Sequence, residues 1–410
     1  MKSIRALQRL SCSMPTARIG TKIHTKRNFM TSVQCMQAPT VIPSDSADPA
    51  MKTYKYWNRE EYKRKGRYDY LIKISPESII KEAKILSLSD PEDEANVALS
   101  ESLPFGSKLL GTGTKLEEFD QFRDHSPNVL FVSPSCPKAR EQLPLVLAAF
   151  PTIEWVHVRS AGIDFIVSDE LSEIDIPMTN AKGQFSSSLA EYTMMACSYF
   201  AKDLPRLMKQ QKAKNWEKYD VDELRGKTLG IVGYGDVGRA CAKLAHVYGM
   251  KIIALRRKPK LSALDPYCTA VYGTDKKSLN RLMSESDYIV CSAPSTVDTR
   301  GMVDADAFAA VKEDAVFINL GRGPVIDENA LTQALKDGRL KGAALDVFCE
   351  EPLPVENEMW TLDNVLLSPH NMDQTSTFMH EATEFFVYEN LPRFICGKDL
   401  MNPVNPKEGY

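Results

Sequence analysis

The chain has 410 residues, which is enough for two or three domains of ordinary size. Hydrophobic residues make up 43% and charged residues 26%, a composition that excludes wholesale disorder and predicts a globular protein. The net charge is −3, but residues 1–44 contain seven Lys or Arg and no Asp or Glu, so the rest of the chain carries −10. The net negative charge of residues 45–410 argues against nucleic acid as a partner, because contacts to phosphates need clustered cations.

Neither a membrane span nor a metal site has a signal in the sequence. No apolar run reaches the roughly 18 residues that a membrane-spanning helix needs. The nine cysteines are scattered, and none forms a CxxC pair or stands at metal-ligand spacing with a histidine. We therefore predict no membrane partner and no metal.

Residues 1–44 have the composition of an organelle transit peptide, since they are basic, rich in Ser and Thr, and free of acidic residues. Ile4, Leu7 and Leu10 recur at spacings of three and predict a short basic amphipathic helix. We expect this segment to be a transit peptide or a disordered tail and the protein to be mitochondrial. Plastid targeting and an untargeted cytoplasmic chain are the alternatives.

The next part of the chain mixes charged, helical segments with short apolar runs. Val129–Val132 is bounded by prolines and predicts a buried strand. Trp155–Val158 predicts a second strand that runs into the turn Ser160-Ala161-Gly162. Apolar residues at helical spacing predict a helix over Ser186–Ala201.

After Leu224, six strand-like runs alternate with helix-like segments. Most of these runs are apolar on both faces, which is typical of parallel strands covered by helices on both sides. The runs are Thr228–Val232, Lys251–Leu255, Tyr288–Ser292, Val316–Leu320, Ala343–Val347 and Val365–Ser368. This half of the chain predicts a doubly wound α/β fold.

A glycine-rich turn connects the first of these six runs to a helix. Gly233 permits the tight turn, Gly235 lets the backbone approach a pyrophosphate, and Gly238 lets the helix close onto the strand. The helix begins at Asp236 and Val237, and its N-terminus offers unpaired N–H groups to phosphates. Because the turn follows a strand and precedes a helix and a second strand, it predicts a dinucleotide site.

A basic run ends the second strand and indicates which dinucleotide binds. Arg256, Arg257 and Lys258 lie eighteen to twenty residues past Gly238, where an NAD site places Asp or Glu against the ribose 2′-hydroxyl. Arginine pairs instead with a 2′-phosphate. We therefore expect NADP(H) to be preferred, with NAD(H) possible.

Three polar side chains end three later strands at the same edge of the predicted sheet. They are Arg322, one carboxylate of the Glu350-Glu351 pair, and His370. Ligands of open α/β sheets bind at this edge. Beside a dinucleotide, an arginine, a glutamate and a histidine can bind an anion and move a proton next to a hydride.

Together these motifs resemble the D-isomer-specific 2-hydroxyacid dehydrogenase family. The resemblance covers roughly residues 129–370 through the glycine turn, Asn319–Asp327, Ala343–Pro354 and the ending Ser368-Pro369-His370, with a softer match over 402–410. It implies a homodimer in which each chain has two α/β domains with the active site between them.

The resemblance also implies a discontinuous substrate domain. We expect a flavodoxin-like first part over residues 45–180, a Rossmann cofactor domain over 181–372, and a return to the substrate domain over 373–410. Trp360 resembles a family position near the dimer interface, although core packing would explain it equally well.

The roles of the site residues follow from the same resemblance. Arg322 would hold the carboxylate and carbonyl of a 2-oxo acid, His370 would donate a proton, and Glu351, which immediately precedes a proline, would orient the imidazole. The backbone of Ala161 and Gly162 would bind the substrate carboxylate.

Four more residues would lie along the cofactor: Pro294, Leu320, Gly321 and Asp346. The sequence departs from the family after His370, where residues 371–374 read Asn-Met-Asp-Gln instead of apolar and small residues. This departure changes the polarity beside the substrate.

The expected activity is the NADPH-dependent reduction of a small 2-oxo acid, such as glyoxylate or hydroxypyruvate, to the D-2-hydroxy acid. One alternative is a dinucleotide-sensing binding protein similar to the corepressors built on this fold. Another is an enzyme similar to formate dehydrogenase, which is disfavoured because that branch has glutamine at the position of Glu351.

Overall fold

The structure is a computed structural model, which describes residues 74–262 and 264–407. The predicted transit peptide, and with it the predicted mitochondrial location, lies outside these residues. None of the helices in this part of the chain is long and apolar enough to cross a membrane.

The described residues form strands and helices in alternation. The strands are β1 (Ala83–Leu88), β2 (Ser107–Gly113), β3 (Val129–Val132), β4 (Trp155–Val158), β5 (Met178–Asn180), β6 (Thr228–Val232), β7 (Lys251–Leu255), β8 (Ala270–Tyr272), β9 (Tyr288–Cys291), β10 (Ala315–Asn319), β11 (Leu340–Leu345), β12 (Val365–Leu367) and β13 (Pro403–Val404). The α-helices are α1 (Val97–Glu101), α2 (Ala139–Ala149), α3 (Asp169–Ser172), α4 (Ser186–Ala201), α5 (Leu204–Ala213), α6 (Asp236–Val247), α7 (Lys276–Glu285), α8 (Ala305–Ala309), α9 (Glu328–Lys336), α10 (Phe378–Phe385) and α11 (Leu391–Ile395). A π-helical turn, Phe386–Asn390, joins the last two helices.

The first sheet has the order β13-β5-β4-β3-β1-β2. Its strands are parallel except β13, which pairs antiparallel with β5. Without β13 this is the flavodoxin-like order 2-1-3-4-5. Helix α2 covers one face, and the segment 386–395 covers the other by packing against Phe131 and Trp155. The C-terminal part of the chain therefore lies on the first sheet.

The second sheet is fully parallel and has the order β12-β11-β10-β9-β6-β7-β8. Helices α4 and α6 pack on one face, and α7, α8 and α9 pack on the other. The strand order reverses between β6 and β9, so the loops after these two strands diverge and open a crevice. The predicted α/β class, with two layered parallel sheets, is confirmed; the predicted domain boundaries stay predictions.

Strands β1, β2 and β5 of the first sheet were not predicted within the mixture of charged, helical segments and short apolar runs that the sequence indicates there. Strand β1 carries Lys84 and Ser87, which break its apolar run, yet Ser87 is fully buried because its hydroxyl pairs with that of Ser89 at 2.7 Å. Strand β11 of the second sheet begins at Leu340, three residues before the predicted run. The prediction missed this start because Lys341 and Gly342 interrupt the apolar pattern. The other predicted runs of the second sheet match its strands to within one residue.

Candidate active site

The three glycines of the turn after β6 meet different surroundings. Gly233 has φ +95°, and a Cβ there would lie 2.7 Å from the backbone nitrogen of Ala293. A Cβ at Gly238 would lie 2.5 Å from the carbonyl oxygen of Gly233. A Cβ at Gly235 would meet nothing within 4 Å. The first and third glycines therefore serve internal packing, whereas the middle one leaves open space above the backbone.

Helix α6 begins beside this open space without a side-chain cap. Helices α7, α8 and α9 on the same sheet begin with Asp275, Asp304 and Asp327, whose side chains accept from backbone N–H groups of the first turn. The N-cap of α6 is Gly235, which has no side chain for this purpose. The first turn, with Asp236 and Val237, thus keeps unpaired N–H donors. Open space and free donors together fit a dinucleotide pyrophosphate.

The basic residues after β7 lie at the carboxyl end of that strand, which is the neighbour of β6 in the sheet. Arg256 is partly buried and donates to the Ser262 hydroxyl, while Arg257 and Lys258 are exposed. Because β7 pairs with β6, these cations stand beside the glycine turn at the carboxyl edge of the sheet. Their position fits the ribose end of a dinucleotide.

Asp265, which sequence reasoning missed, ties the loop after β7 to the glycine turn. Its carboxylate accepts from the Tyr234 hydroxyl at 3.0 Å and from Arg239 Nε at 2.7 Å. Burial opposes ionisation, but these bonds together lower the pKa of Asp265 below its ordinary value. No local pattern marks this role, since both side chains that donate to Asp265 lie more than twenty residues away.

The loops after β9 and β10 pack against each other at the same edge. A Cβ at Gly321 would lie 2.5 Å from the carbonyl oxygen of Ala293, the residue before Pro294. Asn319 Oδ1 accepts from the Gly321 backbone N–H at 3.2 Å and so fixes the turn that includes Leu320. These contacts place Pro294, Leu320 and Gly321 together beside the crevice.

Asp346 follows β11 and is buried, with 2% of its surface exposed. It accepts from the Ser368 hydroxyl at 2.7 Å and from the backbone N–H groups of Asn371 and Met372 at 3.1 and 3.4 Å. Burial raises the pKa of its carboxyl group, although these bonds oppose the shift. Asp346 therefore holds the chain on both sides of His370, and its expected contact with the cofactor stays a prediction.

The ends of β11 and β12 bring the predicted acid and histidine together. His370 Nδ1 donates to Glu351 Oε2 at 2.7 Å. The other carboxylate oxygen of Glu351 accepts from the Phe348 backbone N–H at 2.9 Å, which fixes the carboxylate. With Nδ1 engaged, Nε2 is the ring nitrogen that can serve a substrate. Both side chains remain about one-third exposed.

Arg322 follows β10 and reaches across to the first sheet. Its Nε and Nη2 donate to Asp164 Oδ2 at 3.2 and 3.1 Å, and its Nη1 donates to the Gly321 carbonyl at 2.8 Å. A Cβ at Gly162 would lie 2.1 Å from Nη2, so the guanidinium rests directly on the backbone of that loop. The guanidinium of Arg322 thus contacts the loop that contains Ala161 and Gly162.

The loop after β4 is anchored by Arg159, another residue that sequence reasoning assigned no role. Its guanidinium is 1% exposed and donates to Asp93, to Ser133 Oγ at 2.5 Å and to Asn96 Oδ1 at 3.1 Å. These partners follow β1 and β3, so one side chain joins three strand ends. Ala161 is fixed further by Asn180, whose amide donates to its carbonyl at 2.5 Å.

The site therefore combines a dinucleotide crevice with an arginine, a histidine–glutamate pair and a backbone loop. The NAD-binding domain of the D-isomer specific 2-hydroxyacid dehydrogenase family matches residues 194–371. Glyoxylate/hydroxypyruvate reductase B of Yersinia enterocolitica is 32% identical over 263 residues, which are 63% of this chain and 79% of that one. The chain belongs to the D-isomer specific 2-hydroxyacid dehydrogenase family. It is accordingly an NAD(P)-dependent oxidoreductase.

Two more relatives are similar to this chain. D-3-phosphoglycerate dehydrogenase of Methanocaldococcus jannaschii is 32% identical over 330 residues, 78% of this chain but only 59% of the relative's length. A D-isomer specific 2-hydroxyacid dehydrogenase from Xanthobacter autotrophicus, solved in complex with NADPH and MES, is 28% identical with a TM-score of 0.65. That alignment covers 80% of this chain and all of the other. Relatives with two different named activities therefore resemble this chain.

The open space at Gly235 generates a prediction that separates folding from cofactor binding. Gly235→Ala should leave the free energy of unfolding unchanged, because the new Cβ meets no protein atom. It should raise the Kd for NADPH about tenfold or more, because it obstructs the approach of the pyrophosphate. Urea unfolding and fluorescence titration with NADPH measure the two quantities.

Gly238→Ala is the matched control, since its Cβ would meet backbone. It should lower the free energy of unfolding by about 1–3 kcal/mol, the usual range for overpacking. Wild-type affinity for NADPH in the Gly235→Ala protein would contradict the placement of the pyrophosphate.

Proposed function

We propose that the protein reduces a small 2-oxo acid, of the glyoxylate or hydroxypyruvate type, to the D-2-hydroxy acid with NADPH. The observation that carries this proposal is the 2.7 Å bond between His370 and Glu351 at the sheet edge that also holds Arg322. A fixed imidazole and a guanidinium at one edge of the sheet suit a substrate that has a carboxylate next to a carbonyl group.

The residues that would hold the cofactor lie along the carboxyl edge of the second sheet. Gly235 and the first turn of α6 would bind the pyrophosphate, and Arg256 with Arg257 would bind the 2′-phosphate of NADPH. When bound, the nicotinamide supplies the hydride that reduces C2. The complex of the Xanthobacter relative with NADPH supports this cofactor.

The substrate carboxylate would bind to Arg322 and to the backbone of Ala161 and Gly162. A planar guanidinium offers paired N–H donors, and those not engaged by Asp164 or by the Gly321 carbonyl remain for a carboxylate and a carbonyl oxygen. This contact polarises the carbonyl and fixes the position of C2.

His370 would donate the proton that completes the reduction. Its Nε2–H would transfer the proton to the oxygen on C2 as negative charge develops there. Glu351 would hold the ring through Nδ1 and balance the charge of the imidazolium. The activity named for the Yersinia relative supports glyoxylate and hydroxypyruvate as the first substrates to test.

The proposed activity is tested with both reduced cofactors. With glyoxylate or hydroxypyruvate, kcat/KM for NADPH should exceed that for NADH by about tenfold or more, because the arginines pair with the 2′-phosphate. Changing Arg256 and Arg257 together to glutamine should abolish this preference mainly by raising KM for NADPH. Absorbance at the wavelength of the reduced nicotinamide follows the reaction.

Lys260→Gln provides the matched control, since Lys260 is exposed in the same loop. It should keep the preference for NADPH. Equal efficiency of the two cofactors in the wild-type protein would refute the role of the arginines, and no turnover of any 2-oxo acid would refute the proposed reaction.

We also propose that the protein is a homodimer, and the surface around α5 supports this. Every residue of α5 is at least partly exposed, and Leu207 and Met208 are each 51% exposed. Trp216, just beyond this helix, is 94% exposed. Trp360 is half-exposed rather than a core residue. Large apolar side chains exposed together are typical of a surface that another chain covers.

Light scattering of the purified protein should therefore give about twice the mass of one chain. Changing Leu207 and Met208 to glutamate should convert it to the monomer, because two charges would be buried at the interface. Leu264→Glu, at a site that is 97% exposed, should leave the mass unchanged. A wild-type mass equal to one chain would contradict the dimer.

A further inference from the structure

Asp236 is an acidic residue at the place where the cofactor pyrophosphate would bind. It directly follows Gly235 and is the first residue of α6. A carboxylate in the first turn favours the helix, because the N-terminus of a helix carries a partial positive charge. The same carboxylate repels a pyrophosphate that approaches this turn. A cation beside Asp236 would offset this repulsion.

Lys182 is such a cation, and it comes from the first sheet. Its Nζ lies 3.5 Å from Asp236 Oδ2, and the two side chains are 53% and 49% exposed. Lys182 follows β5, so this ion pair joins a strand end of the first sheet to the helix that begins at the glycine turn. Arg239, a cation of α6 itself, is engaged by Asp265 through its Nε at 2.7 Å. Lys182 is therefore the cation that this structure pairs with Asp236.

The backbone that carries Lys182 is anchored on both sides. The N–H of Lys182 donates to Asn180 Oδ1 at 3.2 Å, and its carbonyl accepts from the side-chain amide of Asn402 at 2.8 Å. The preceding N–H, of Ala181, donates to the Ser160 carbonyl at 3.0 Å. Ser160 begins the turn that is proposed to bind the substrate carboxylate. Lys182 thus stands on a fixed loop that is tied directly to the substrate loop.

An ion pair as exposed as this one contributes little to the stability of a protein. A gain in stability therefore does not explain why a fixed loop of the first sheet holds a lysine at the start of α6. The exposed half of the Lys182 side chain leaves its ammonium accessible to a ligand. An ammonium has three N–H donors, so it can remain beside Asp236 and also donate to a phosphate oxygen.

We propose that Lys182 binds the pyrophosphate of the cofactor together with the backbone N–H groups of α6. It offsets the charge of Asp236 and adds a charge-assisted hydrogen bond that the second sheet does not provide. The first sheet then contributes to cofactor binding as well as to substrate binding. This inference rests on the proposed placement of the pyrophosphate at Gly235 and deepens it. It requires neither the proposed substrate nor a preference for NADPH.

The test measures the Kd for reduced dinucleotides by fluorescence titration of the full chain. Lys182→Gln should raise the Kd for NADPH about fivefold or more, because one charged contact to the phosphates is lost. The Kd for NADH should rise by the same factor, since both cofactors contain the pyrophosphate. Lys182→Arg retains the charge and should bind NADPH nearly as tightly as the wild-type protein.

Asp236→Asn distinguishes phosphate binding from a purely structural ion pair. If Lys182 binds the pyrophosphate, removal of the opposing carboxylate should lower the Kd for NADPH about twofold or more. If the pair only joined the first sheet to α6, either substitution would break it, and both would weaken binding. The two substitutions should therefore change the Kd in opposite directions.

Lys81→Gln is the matched control. Lys81 is similarly exposed and pairs with Glu154, but both residues precede strands and so lie at the opposite edge of the first sheet. This substitution should leave the Kd for both dinucleotides unchanged. A wild-type Kd in Lys182→Gln, or weaker binding in Asp236→Asn, would overturn the inference.

The titration requires no turnover, so it separates this inference from the proposed function. If the protein binds NADPH but reduces no 2-oxo acid, the proposed reaction fails while the Kd values still decide the role of Lys182. If Gly235→Ala weakens binding and Lys182→Gln does not, the pyrophosphate placement stands and the inference alone fails. A loss of affinity in Lys182→Gln for NADPH but not for NADH would assign Lys182 to the 2′-phosphate and overturn the inference.

Discussion

The hydrogen bond between His370 and Glu351 depends on a constraint of parallel sheets, namely that consecutive strands deliver their carboxyl ends to one edge. The two residues are nineteen positions apart, yet β11 and β12 are paired neighbours, so their following loops meet. Buried Asp346 then holds the chain after His370 from the end of β11. The positions of both side chains are therefore fixed by hydrogen bonds to the ends of these strands and the loops that follow them.

The proposed substrate site needs the first sheet as much as the second. Gly162 leaves room for the guanidinium of Arg322, and Asp164, in the same loop after β4, accepts a hydrogen bond from it. Arg159 fixes the start of this loop by joining the ends of β1, β3 and β4. A buried arginine in that place gives the loop a fixed backbone, which a site that binds a carboxylate through N–H groups requires.

Sequence reasoning predicted the parts of this molecule that follow from local pattern. Strands β6 and β7 were predictable because they are apolar on both faces, and the glycine turn because each glycine has a separate steric role. Strand β1 was not, since Ser87 looks exposed until its partner Ser89 is known. The contact between Asp164 and Arg322 spans 158 positions, and no local pattern indicates it.

In the proposed mechanism His370 and Glu351 act as one unit, and a double-mutant cycle tests this most directly. The kcat for hydroxypyruvate is measured in the wild-type protein, His370→Ala, Glu351→Gln and the double variant. His370→Ala should lower kcat about 100-fold or more, and Glu351→Gln should cause almost no further loss once the imidazole is absent. Losses that multiply in the double variant, or a wild-type rate in His370→Ala, would contradict the account.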